Sequence, residues 1–174
     1  MVGLLLAAAA AAAPVELWVR ADPDGFSSVT AEALGVDLTA VSRSRSVWAF
    51  TGRAGVPVSF EARREHVTDA GESVSRWRFT GAGFAWTLER VSRLRNDYRL
   101  RPPDGGPSVL FAAETASEGP AFRIEAPGLD LLTRNSGPRT RASGTALGLG
   151  PARAAALGAA LVLLRLDPPR RFGD

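Results

Sequence analysis

The chain contains no cysteine and no lysine, and only one histidine, one methionine and one tyrosine among its 174 residues. Without cysteine there can be no disulfide, no thiolate metal site and no Cys nucleophile. The lack of disulfides leans only weakly toward a reducing compartment, since many exported proteins also lack them. Two further absences matter. No run of like charge stands out, and no apolar run reaches the roughly 20 residues a bilayer-spanning helix needs without taking in arginine, proline and glycine.

All 21 basic residues are arginine. A GC-rich coding sequence, rich also in Ala, Gly and Pro, accounts for that bias; the functional alternative is recognition of anions by guanidinium. Net charge is only +3, and arginines alternate with carboxylates, as in FEARRE (Phe60–Glu65). A nucleic-acid partner calls for a basic stripe with aromatic or motif support, so none is expected. The 45% hydrophobic content suits one globular domain with a real core.

Both ends are apolar. Residues 1–13 are alanine-rich, and Ala11 and Ala13 stand small-x-small before Pro14. That matches the length of a signal-peptide core, but no basic residue precedes it; the other reading is an alanine-rich helix or frayed start preceding the first strand. GPARAAALGAALVLLRLDPPRR (Gly150–Arg171) holds a second apolar run. Pro151 suits a first helical turn and LDPP (Leu166–Pro169) a stop, giving an expected helix over Pro151–Asp167. This helix is apolar all round, so either protein or lipid surrounds it. Arg153 and Arg165 bound an uncharged stretch too short to span, which favours protein, with a tail anchor as the alternative.

Between the ends, hydrophobicity alternates with period two. VELWV (Val15–Val19) puts Val15, Leu17 and Val19 on one face, and SVWAF (Ser46–Phe50) and VPVSFEA (Val56–Ala62) follow. In SVSRWRF (Ser73–Phe79), Val74 is out of phase with Trp77 and Phe79, suggesting a bulge or face switch. GFAWTLERV (Gly83–Val91), DYRLRP (Asp97–Pro102), SVLFAAET (Ser108–Thr115) and AFRIEA (Ala121–Ala126) complete the series. DPDG (Asp22–Gly25), DAGE (Asp69–Glu72) and PPDGG (Pro102–Gly106) read as turns. Arg76 and Arg78 beside Trp77, and Arg99 and Arg101 beside Leu100, mark a sheet with one wet face. TRNSGPRTRASG (Thr133–Gly144) reads as a polar linker to the helix.

An apolar helix cannot lie on the surface of such a sheet, but a closed barrel threaded by it buries every side and leaves no open edge. The expected fold is therefore mainly β: an antiparallel β-barrel wrapped around a hydrophobic C-terminal α-helix. The single domain covers residues 14–167, after an apolar segment 1–13 and before a polar tail 168–174.

RWRFTGAGFAWTLER (Arg76–Arg90), DYRLRPPDGGPSVLFAAE (Asp97–Glu114), FRIEA (Phe122–Ala126) and the terminal apolar helix, in that order, resemble the tubby C-terminal-like superfamily. That group includes tubby proteins, phospholipid scramblases and LURP-one-related proteins, and small fungal proteins of unknown function look closest. The resemblance covers about Arg76 to Asp167; the first half fits by strand rhythm. It implies a barrel around a hydrophobic helix. Some members bind phosphoinositides through basic residues, or calcium; those positions are not placed in this sequence, and no site residue is carried over.

No catalytic, metal or cofactor residue is expected. His66 in RREHVTD (Arg63–Asp69) has Asp69 nearby, but nothing else supports a triad. DPDG supplies too few ligands for calcium, and GLGPAR (Gly148–Arg153) lacks the lysine and hydroxyl of a phosphate loop. Trp18, Trp48, Trp77 and Trp86 fall in strands and are expected to pack in the core or at an interface, with stacking on a ligand as the alternative. Arg43, Arg45, Arg63, Arg64, Arg93 and Arg95 are candidate contacts for anionic phospholipid head groups, provided folding gathers them. The expected function is a non-enzymatic, cytoplasmic, membrane-peripheral module that binds anionic lipid or a protein partner. The alternative is a tail-anchored or exported protein.

Overall fold

A computed structural model describes residues 11–69, 71–81, 83–91, 95–116 and 119–172. Its strands are β1 (Ala13–Arg20), β2 (Ser27–Ala31), β3 (Val36–Ser44), β4 (Val47–Ala54), β5 (Val56–Asp69), β6 (Glu72–Gly81), β7 (Thr87–Arg90), β8 (Tyr98–Arg101), β9 (Val109–Glu114), β10 (Ala121–Ala126), β11 (Leu129–Ser136) and β12 (Arg139–Ala146). They are followed by one helix, α1 (Pro151–Leu166), and the two-residue strand β13 (Arg171–Phe172). Residues 1–10, most of the alanine-rich segment, lie outside the described residues.

β1 to β12 form a meander in which each strand pairs antiparallel with the next, and β1 closes on β12 from Ala13–Ala146 to Arg20–Arg139. The result is a closed twelve-stranded barrel. Inward positions are apolar and outward ones polar: Val15, Leu17 and Val19 on β1 are buried, whereas Glu16 and Arg20 are exposed. Trp77 and Leu100 are fully buried between their flanking arginines, as the one-wet-face pattern requires.

Twelve strands enclose more space than their own side chains fill, and α1 occupies it. Every residue from Ala154 to Leu164 is buried, so the helix is core and the tail-anchor alternative does not describe it. Among the described residues no helix is long and apolar enough to cross a membrane. Pro151 opens the helix after an extended Gly150, and the Asp167 amide closes it on the Leu163 carbonyl at 2.7 Å. The helix leans on β1–β4. Gly158 permits this, since a Cβ there would stand 2.1 Å from Val29 Cγ1 on β2.

Two expectations need correction. Thr133–Gly144 is no linker: it makes up most of the β11–β12 hairpin, joined tooth by tooth from Leu129–Ala146 to Ser136–Arg139. Its polarity has two sources. Arg134, Ser136, Arg139 and Arg141 face outward, while inward Thr133 and Thr140 are buried with their hydroxyls hydrogen-bonded, to the Phe122 amide (2.7 Å) and to Asn135 Oδ1 (2.8 Å). Nor does β6 switch faces. Its ladder with β5 runs unbroken from Phe60–Gly81 to Asp69–Glu72, with Ser75 inward in phase with Trp77 and Phe79. Ser75 is tolerated there because its hydroxyl bonds the Arg170 amide (2.7 Å) and carbonyl (3.2 Å), just before β13 pairs with Val74 and Ser73.

Candidate functional site

In a meander the odd-to-even turns share one end of the barrel. The β1–β2, β3–β4, β5–β6 and β7–β8 connections therefore lie at the end where α1 finishes. Three of the candidate arginines meet there. Arg43 sits at a register shift near the end of β3, Arg45 in the β3–β4 turn, and Arg63 opposite Val47 on β5. All three are exposed; Arg43 and Arg63 share Glu61 at 3.7 and 3.3 Å, and Arg45 makes no ion pair among the described residues. Ion pairs this open hold their partners by about 0–1 kcal/mol, so both guanidinia are available to another anion.

Arg64, the next residue, points the other way. It occupies the inward phase set by Phe60 and Ala62, and its side chain is 15% exposed. Its Nη2 meets the Asp167 carboxylate at 2.5 Å and donates to the Asp167 and Pro168 carbonyls at 2.9 and 3.3 Å. The guanidinium lies 4.9 Å from the Trp77 ring centroid, and the Trp77 indole N–H donates to the Asp167 carbonyl at 2.9 Å. Arg64 thus fastens the end of the helix to the wall and is not presented to solvent. Arg95 is exposed at the same end, on the β7–β8 connection with β6 and β7 between it and Arg63. Arg93 lies outside the described residues.

The same rim carries an aromatic side chain that the strand pattern does not account for. Phe26, just before β2, is 69% exposed, the most exposed of the large hydrophobic residues described. Its turn is braced: the Asp24 amide donates to Asp22 Oδ1 (3.1 Å), the Asp22 amide to Ser27 Oγ (3.0 Å), and the Ala21 amide to the Pro138 carbonyl (2.9 Å). One step inward Ser27 pairs with Ala40, so Phe26 and the exposed Val41 leave neighbouring strands side by side, with Arg20 and Arg43 on either flank.

Trp48, Trp77 and Trp86 are buried as expected, but Trp18 is not: it is 40% exposed. Core packing does not extend to Trp18, for a reason that lies in the alternation of β1 itself. With Val15, Leu17 and Val19 inward, Trp18 must point out. Its indole N–H donates to Glu16 Oε1 at 2.5 Å, and the Arg141 guanidinium lies 5.6 Å from the ring centroid while also pairing with Glu16. These hydrogen bonds hold the Glu16 carboxyl below its ordinary range, the bond from Arg141 foremost. Two hollows, of about 380 and 370 Å³, open beside this ring.

The chain matches no protein-family model, no curated protein and no solved structure. What it does must therefore be argued from its own surface. Among the described residues no three His, Asp or Glu side chains converge to hold a metal ion, and His66 is exposed near the end of β5. The surface offers basic side chains beside isolated aromatics, an arrangement suited to binding. Phe26 has one signal in the sequence: an aromatic immediately after DPDG stands in a turn, where no core position awaits it.

Proposed function

We propose that this chain is a non-enzymatic barrel that docks on an anionic membrane surface, with the rim at the C-terminal end of α1 toward the bilayer. Phe26 carries the reading. A largely exposed phenyl ring on a braced turn, flanked by Arg20 and Arg43 and at the same end of the barrel as Arg45 and Arg63, suits the boundary between head groups and acyl chains. There the ring gains by leaving water. Each arginine near an anionic surface adds about 1 kcal/mol, an attraction that fades with salt. The resemblance to the tubby C-terminal-like superfamily, which we propose as the chain's relationship, supports the same reading, because some of its members bind phosphoinositides.

The test is co-sedimentation with vesicles of rising phosphatidylserine or phosphoinositide content at low and high salt. Bound protein should rise with anionic lipid and fall with salt. A triple Arg43→Ser, Arg45→Ser, Arg63→Ser variant should lose the rise, and Phe26→Ser should weaken binding at every composition. Both should unfold within about 0.5 kcal/mol of the parent, as exposed substitutions do. Sedimentation indifferent to lipid charge and salt, or a triple variant that binds like the parent, would overturn the proposal and favour a protein partner for this rim.

A further inference from the structure

The two hollows beside Trp18 lie on the outer wall of the barrel, over β1 and β2, and share Trp18 and Thr30. Otherwise they differ in sign. The first is lined by Arg20, Arg139 and Ser28, the second by Glu16, Glu32 and Ala33. Charge therefore reverses across a single indole.

Strand register explains why one side of that ring is open. Trp18 stands between Arg141 on β12 and Thr30 on β2. Arg141 covers the ring from one side; Thr30 is too short to cover it from the other. The bond to Glu16 and the guanidinium of Arg141 fix the ring's orientation, so its open side is preorganised. Glu16 is already engaged by Arg141 and the indole N–H, which leaves Glu32 as the acidic group of the second hollow. Neither Arg139 nor Glu32 forms an ion pair among the described residues, and Arg20 has only Asp22 at 3.5 Å, both exposed enough to exchange.

We propose that this wall binds a zwitterion in which a phosphate and a quaternary ammonium are joined by a short bridge, as in phosphocholine. The phosphate takes the Arg20 and Arg139 guanidinia and the Ser28 hydroxyl. The ammonium lies against the open side of Trp18, with Glu32 beyond it, since indole is the best of the aromatic rings for a cation. Side chains two apart on a strand are spaced by about 6.7 Å, so one small ligand reaches from the Arg20 level to the Trp18 level. A simple anion meets Glu32 unfavourably and a simple cation meets the arginines, which is why the combination is selected. The site shares Arg20 with the flank of Phe26, but Trp18, Glu32 and Arg139 belong to the wall alone, so their variants test it apart from docking of the rim.

Calorimetric titration of the full chain with phosphocholine, choline and inorganic phosphate tests this. Phosphocholine should bind at least tenfold more tightly than either half. Trp18→Ala and Arg139→Ser should each weaken it at least tenfold, and Glu32→Gln should weaken it severalfold. Arg139 is fully outward, so its variant keeps the test valid if loss of Trp18 disturbs β1. Phosphocholine binding no better than phosphate, or binding unchanged in Arg139→Ser, would overturn the proposal. Pure phosphatidylcholine vesicles then identify the source. Sedimentation reversed by free phosphocholine assigns a lipid head group, whereas binding of free phosphocholine without sedimentation assigns a soluble ester.

Discussion

The two halves of the barrel wall are lined differently. From β1 to β3 the inward apolar side chains, Val15, Leu17, Val19, Val29, Ala31, Val36, Leu38 and Ala40, are all aliphatic and mostly small, with Ser27 the one inward hydroxyl. From β5 to β10 they include Phe60, Trp77, Phe79, Tyr98, Phe111 and Phe122. A helix about 10 Å across does not fill a twelve-stranded barrel from its centre. By pressing its alanines and Gly158 against the aliphatic half it collects the remaining space on one side, and the aromatic rings fill it. Phe60 stacks between Phe50 and Phe84 at 4.9 and 4.2 Å, and Phe122 takes Tyr98 and Phe111 edge-on at 5.9 and 6.2 Å. Two kinds of wall thus solve one problem: close approach on one side and volume on the other.

The contrast breaks most severely on the aromatic side. Phe122→Ala removes the ring that two others abut, in a place the helix cannot move to fill, and should cost about 3–5 kcal/mol in denaturant unfolding. A cost under about 1 kcal/mol would mean that α1 shifts across the barrel to close the cavity.

On the aliphatic side the expected effect is smaller and of opposite cause. Alanine is a better helix former than glycine by about 1 kcal/mol, yet Gly158→Ala should destabilise by about 1–3 kcal/mol, because the new methyl would overlap Val29. Combining it with Val29→Ala sharpens the point. The double variant should lose clearly less than the two single changes added together, which a double-mutant cycle measures directly. Strict additivity would place the strain elsewhere.

The smallest effect concerns pH. Tyr98 is buried in the aromatic half, and that burial, partly offset by Arg90, raises its phenol above the ordinary value near 10. The unfolded chain therefore gives up this proton first. The neutral phenol's contribution to stability is complete below about pH 10 and declines as pH climbs through the folded-state value. Tyr98→Phe should lack that part of the alkaline decline. Because the chain has a single tyrosine, its ultraviolet absorbance follows the titration without interference.

Much of this architecture is legible in the residues. Alternation located eight of the strands, and the all-round apolar helix between Pro151 and Asp167, too short to span a bilayer, required enclosure. β3 (VDLTAVSRS) escaped notice although it alternates plainly over Val36, Leu38 and Ala40; for β2, β11 and β12 there are physical reasons. β2 (SSVTA) and β12 (RTRASGTA) carry serine, threonine or glycine at positions usually apolar, and β11 turns polar after Leu132; their inward hydroxyls are acceptable only because partners lie across the sheet or turn. The arginine pairs were ambiguous in the same way. Arg63 and Arg64 are adjacent in sequence, but a strand sends them to opposite faces, one to solvent and one to the Asp167 carbonyl.

By itself, then, the sequence determined the class of fold, the two-faced strands and the buried helix, because each follows from the period of hydrophobicity along a short stretch. Tertiary structure decided which arginines face water, that Trp18 and Phe26 stand exposed beside them, and that basic and acidic side chains meet across one indole. Those are matters of register between strands distant in the chain: Trp18 has Arg141 on one side and Thr30 on the other only because β1 closes the barrel against β12.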